Sequence, residues 1–103
     1  MAKEVVGTKS DFPAGTVSVR EAGGRSICVA NLNGEGIYAI DNLCTHDNGP
    51  LGEGRLVNGT VECPRHGARF DVKTGAVKAL PAVRPVRSYP VEVTGEEVSV
   101  EVD

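Results

Sequence analysis

The sequence predicts an all-β domain, a small antiparallel barrel or sandwich, and three observations carry that prediction. Leu, Ile, Val and Phe together number 26, and 16 of them are Val. A side chain that is stiff at its first torsion and fits a pleated surface favours strands. The 13 Gly and 6 Pro cut the chain into short pieces, which excludes a helical bundle. Finally, short alternating segments recur at close intervals, each bounded by turn chemistry. At 103 residues the chain forms one domain, 1–103, and is too short for two.

Glu4 to Thr8 reads as the first strand, and Ser10 to Pro13 is the only stretch that could start a helical turn. Thr16 to Glu21 alternates, with Val17 and Val19 on one face. Gly23-Gly24 leads into Arg25 to Leu32, and Asn33-Gly34 leads into Gly36 to Asp41. Asn-Gly tolerates the positive φ of a tight hairpin turn, so these three strands form a meander. The same dipeptide, Asn58-Gly59, separates Arg55–Val57 from Thr60–Cys63. Arg69 to Val72 and Ala76 to Ala79 flank a turn at Lys73-Thr74-Gly75. Leu80 to Val86, with Pro81 and Pro85, reads as an extended loop. In the closing hairpin Tyr89, Val91 and Val93 face Val98, Val100 and Val102 across Thr94-Gly95-Glu96.

A chain of this size buries enough surface to fold without disulfides, and three Cys make a poor disulfide framework. Met1 to Gly15 shows no secretory leader and no apolar run approaches bilayer length, so a cytoplasmic protein away from membranes is expected. The net charge of −3 argues against nucleic acid as a partner. Charge is unevenly spread, however. Arg55 to Arg87 holds seven basic and two acidic residues, whereas Ser88 to Asp103 holds five acidic and no basic ones. Arg55, Arg65, Arg69 and Lys73 form a candidate positive surface for orienting protein partners.

The chemistry sits in two segments, Asn42 to Leu51 and Cys63 to Asp71. Each is a Gly/Pro-containing loop between strands, and each supplies one Cys and one His: Cys44 with His46, and Cys63 with His66. The chain has no other His. Two independent Cys–His pairs are hard to produce by packing alone, so a metal site is the reading. Zinc would accept Cys₂His₂ tetrahedrally, but its usual fingers pair like with like, and here each loop is mixed. A mixed pair suits two metal atoms: one iron with both thiolates, Cys44 and Cys63, the other with both imidazoles, His46 and His66. That is the ligation of a Rieske 2Fe–2S centre, with zinc the alternative.

The chain resembles the Rieske-type ferredoxins that serve bacterial ring-hydroxylating dioxygenases. Beyond the four ligands the resemblance covers Leu51, Gly54, the Cys-Pro-x-His-Gly run at Cys63 to Gly67, Phe70-Asp71, Gly75, Pro81, and Tyr89 with Val91. It implies antiparallel sheets forming a sandwich or barrel, with a cluster-binding subdomain of two ligand loops, about residues 42–82, inserted at one end. It also implies one 2Fe–2S cluster per chain at a tip where the two His lie near solvent. Respiratory-complex Rieske proteins carry an extra Cys in each ligand loop, joined as a disulfide; here those positions hold Gly49 and Arg65. Their second loop also offers Ser and Tyr hydroxyls to the cluster, where this chain has Ala68 and Phe70. Fewer donors disfavour the reduced form, so a potential near the low end of the Rieske range, about −150 mV, is expected.

With both His and two Cys so used, no ligand set remains for an oxygenase iron, and haem lacks an axial residue. No phosphate-binding Gly loop is present either. The expectation is a monomeric, non-catalytic electron carrier that accepts electrons from a flavoprotein reductase and passes them to a terminal Rieske oxygenase. A Rieske ferredoxin with another redox or iron–sulfur partner, and a non-redox zinc module, are the alternatives. Cys28 reads as a buried structural thiol, and Tyr38 and Tyr89 as core or edge residues without a redox role.

Overall fold

A computed structural model describes residues 2–32, 36–44, 49–64, 67–80 and 84–102. Eleven strands are found among them: β1 (Ala2–Thr8), β2 (Val17–Ala22), β3 (Arg25–Leu32), β4 (Gly36–Asp41), β5 (Arg55–Val57), β6 (Thr60–Glu62), β7 (Arg69–Asp71), β8 (Val77–Ala79), β9 (Ser88–Tyr89), β10 (Val91–Thr94) and β11 (Glu97–Val102). They form three antiparallel sheets, ordered β1-β11-β10, β2-β3-β4-β9 and β5-β6-β7-β8.

The expected meander is the middle sheet, and its period-two pattern decides what each face covers. Ile27, Val29 and Ala39 project to one side and pack with Val98, Val100 and Val102 of β11. Cys28, Ala30, Leu32 and Ile40 project to the other, against Val61 and Phe70 of the third sheet and Val72 just after β7. β3 is therefore buried on both faces, which accounts for its nearly unbroken apolar run. Two cores result, and the second is the one that reaches the candidate ligand loops.

Turn chemistry is as expected where it is described. Asn58 at φ 47° and Gly59 at φ 81° close the β5–β6 hairpin; the Asn33-Gly34 turn lies outside the described residues, as do 81–83 of the extended loop. The closing hairpin has the predicted register, Val91 opposite Val100 and Val93 opposite Val98. Tyr89 is a correction. It leaves that hairpin and pairs with Ala39 of β4. Pro90 has no N–H to continue a ladder; its carbonyl accepts from the Glu101 N–H at 2.9 Å while the strand changes sheets.

The helical turn expected at Ser10 to Pro13 is a 3-10 turn one residue earlier, Lys9–Asp11. The Asp11 carboxylate fixes it by accepting from the Thr8 N–H at 2.8 Å. A second 3-10 turn, Leu51–Glu53, was not expected.

Candidate metal centre

Both cysteines of the expected ligand set sit just beyond a strand end. Cys44 lies three residues past β4, and its N–H donates to the Gly49 carbonyl at 2.7 Å. Cys63 directly follows β6; its N–H donates to the Ala68 carbonyl at 2.6 Å and its carbonyl accepts from the Gly67 N–H at 3.1 Å. Gly67, at φ 78°, allows that tight return. The two loops are thus pinched by backbone hydrogen bonds around their Cys residues. Cys44 is 0% and Cys63 1% exposed, and both belong to one buried cluster with Leu51, Ala68 and Phe70.

His46 and His66 lie outside the described residues, as does Arg65. Among the described residues no group of three or more His, Cys, Asp or Glu could hold a metal ion. What is described fits an iron–sulfur cluster on its thiolate side. Two thiols from separate loops converge on one apolar cluster, and no disulfide forms among the three Cys. Thiolates from two separate loops are the donor type that such an iron–sulfur cluster takes on one of its irons.

Ala68 and Phe70 are both 0% exposed within that same cluster. The positions that would offer hydroxyls in a respiratory-type second loop are therefore apolar and closed off from water. Cys28, remote in sequence, packs in the cluster too. Its Sγ donates to Asn42 Oδ1 at 3.3 Å, and burial, helped by the Asp41 charge, pushes its thiol up to about 12. At pH 9 only about one thiol in a thousand would be ionised. Iodoacetamide at pH 9 is accordingly expected to leave Cys28 unlabelled in the folded protein and to label it in urea. Equal labelling rates in the two states, read by mass spectrometry, would contradict the burial.

The candidate positive surface is weaker than its sequence suggests. The hairpin registers put Arg55 opposite Glu62 and Glu62 opposite Arg69. Glu62 accepts from Arg69 Nη2 at 3.0 Å and Nε at 3.1 Å, and from Arg55 Nε at 3.2 Å. Two cations share one carboxylate, and the Arg69 hydrogen bonds hold it below the usual Glu range. A lowered folded-state value stabilises the fold above the unfolded value and ceases to do so as pH falls through the folded one. Glu62→Gln should therefore lower the melting temperature at pH 7 more than at pH 4, followed by circular dichroism. An equal decrease at both would assign the loss to packing. Lys73 Nζ lies 5.6 Å above the Tyr38 ring.

Tyr89 is buried, and its hydroxyl donates to the Asp41 carboxylate; burial first, then that bond, pushes it up to about 12. It braces the end of β4 from which the first loop departs.

With this geometry in place, comparison with known proteins is specific. Residues 2–90 match the Rieske 2Fe-2S domain family. The chain is 36% identical over 97 residues to the anthranilate 1,2-dioxygenase ferredoxin subunit of Burkholderia cepacia, covering 94% of this chain and 89% of that one. It is 38% identical to the ferredoxin of carbazole 1,9a-dioxygenase from Nocardioides aromaticivorans IC177, whose structure superposes with a TM-score of 0.92 over 97% of both chains. A structure described as the complex of reduced oxygenase and oxidised ferredoxin in carbazole 1,9a-dioxygenase matches with a TM-score of 0.87 at 34% identity, over 95% of this chain and 91% of that one.

Proposed function

The chain belongs to the Rieske 2Fe-2S domain family, and from that premise we propose that it is the ferredoxin of a multicomponent oxygenase system. It carries a Rieske-type 2Fe–2S cluster. When bound, that group supplies a centre that takes and gives single electrons. Cys44 and Cys63 hold one iron through thiolates, and His46 and His66 hold the other through imidazoles. The segment from about residue 42 to residue 82 is the cluster-binding part, with the β5-β6-β7-β8 sheet as its support.

The observation that carries the reading is the convergence of Cys44 and Cys63, from separate loops, on one buried cluster in a chain that matches this family over residues 2–90. The protein itself performs no substrate chemistry. It is reduced by a flavoprotein NAD(P)H reductase and oxidised by a terminal Rieske oxygenase, in keeping with relatives named as ferredoxins of dioxygenase systems. A monomer lets the same loops meet both partners in turn. Three thiols without a disulfide suit a reducing cytoplasm. No helix among the described residues is long and apolar enough to cross a membrane.

The test has two parts. Iron and acid-labile sulfide assays are expected to give about two of each per chain; a colourless protein with one zinc after iron-replete expression would overturn the cluster. Stopped-flow mixing is expected to show reduction by a flavoprotein reductase and reoxidation by a terminal oxygenase. A cluster-loaded protein that exchanges electrons with neither would assign it to another redox partner.

A further inference from the structure

The first ligand loop begins at Asn42, and the side chain of Asn42 also closes that loop. Its Oδ1 accepts from the Gly52 N–H at 2.7 Å, ten residues on, and from Cys28 Sγ at 3.3 Å. Its Nδ2 donates to Ser26 Oγ at 3.0 Å, and its backbone N–H donates to the Ser26 carbonyl at 3.1 Å. One half-buried carboxamide thus ties β3 to both ends of the loop that carries Cys44 and His46.

Gly52 shows how closely that tie is drawn. A Cβ there would lie 2.1 Å from Val19 Cγ2 and 3.2 Å from Asn42 Oδ1, so the Leu51–Glu53 turn rests directly on β2 and on the carboxamide. Leu51, next in chain, is fully buried in the cluster that contains both Cys44 and Cys63. Displacing the Asn42 oxygen would orphan the Gly52 N–H and release the turn that carries Leu51. The arrangement needs an acceptor facing Gly52, whereas the Ser26 hydroxyl, which can donate or accept, is satisfied by an amide or a carboxylate.

We propose that Asn42 is the positioning residue of the first ligand loop: through Gly52 and β3 it fixes where Cys44 stands relative to Cys63. This rests on the Rieske reading with Cys44 as a ligand. Asn42 is not one of the four assigned ligands and acts through the loop it fastens. Groups that hydrogen-bond metal ligands directly typically change metal affinity or activity by about 10- to 100-fold when removed, and Asn42, one step further out, is expected at the lower end of that range.

The experiment compares wild type with Asn42→Leu, which keeps the approximate shape and removes both polar ends, and with Asn42→Asp, which keeps the acceptor facing Gly52. Two readouts are taken on the loaded proteins: the rate of iron release to a chelator, and the EPR spectrum of the reduced state. Asn42→Leu is expected to release iron about tenfold faster or more and to broaden or shift the EPR lines. Asn42→Asp is expected to restore most of the wild-type lifetime and line shape. If Asn42→Leu fails to fold, Asn42→Gln, whose oxygen is displaced by one methylene, carries the same expectation.

Wild-type release and line shape in the Leu or Gln variant would overturn the proposal. So would an Asp variant no better than Leu, or faster release that follows a lowered melting temperature with an unchanged EPR spectrum. A wild-type protein without a Rieske-type EPR signal would overturn the cluster reading itself, before any variant is compared.

Discussion

Gly75→Ala is expected to destabilise the protein by about 3 kcal/mol or more, against a total of about 5–15 kcal/mol for a domain of this size. Gly75 has φ 81°, and a Cβ there would sit 2.0 Å from the Val86 backbone oxygen. A backbone atom cannot swing aside as a side-chain tip can. The strap at Val86 would have to lift, breaking its N–H bond to the Gly75 carbonyl, now 2.9 Å. Val86 is buried in the cluster that contains Cys44 and Cys63, so the damage reaches the ligand loops. Gly59 provides the control. It has the same φ of 81°, yet its Cβ would meet nothing within 4 Å. Gly59→Ala should cost only the left-handed backbone penalty, about 1–2 kcal/mol. With about 4–8 °C per kcal/mol, thermal melts separate the two variants easily. Equal melting temperatures would mean that the strap does not press on Gly75.

The second large effect is on the reduction potential. Replacing Ala68 by Ser and Phe70 by Tyr together is expected to raise it by on the order of 100 mV. Both side chains are fully buried in the cluster that holds Cys44 and Cys63, so a hydroxyl added to either enters a water-free, apolar region. Reduction adds negative charge, and a donor there favours the reduced form. Each charge-assisted bond contributes about 1.5–3 kcal/mol at most. For a one-electron couple 59 mV corresponds to about 1.4 kcal/mol, and imperfect geometry brings the pair to the figure given. Protein-film voltammetry is the measurement, with EPR to confirm an intact cluster. An unchanged or lowered potential would mean that solvent access or net charge sets the value instead.

These expectations draw on features of unequal legibility. The middle sheet could be read directly, because Val alternation and Gly-containing turns specify register locally. Tyr89 departs from its sequence pattern for a related reason: its alternation with Val91 and Val93 continues through Pro90, although the ladder cannot. The Leu51–Glu53 turn left no pattern in the sequence, since it is made by the reach of the Asn42 side chain and by the closeness of Gly52 to Val19. Cys28 looked remote from the ligand loops because sequence distance does not report which face of β3 meets them.

The Glu62 bridge between Arg55 and Arg69 could have been deduced from the Asn58-Gly59 turn, which fixes the opposing pairs. A count of charges along the chain hides it. Of the four expected ligands, the two Cys are brought into one buried cluster, while His46 and His66 stand on the sequence pattern alone, outside the described residues.

The imidazole side of the centre is therefore where the account is most directly tested. The chain contains only two His, so labelling histidine with ¹⁵N reports on His46 and His66 and on nothing else. Pulsed EPR of the reduced, labelled protein is expected to show hyperfine coupling to two histidine nitrogens bound to iron. Coupling to one or none, in a protein that retains its iron and sulfide, would contradict the two-thiolate, two-imidazole assignment.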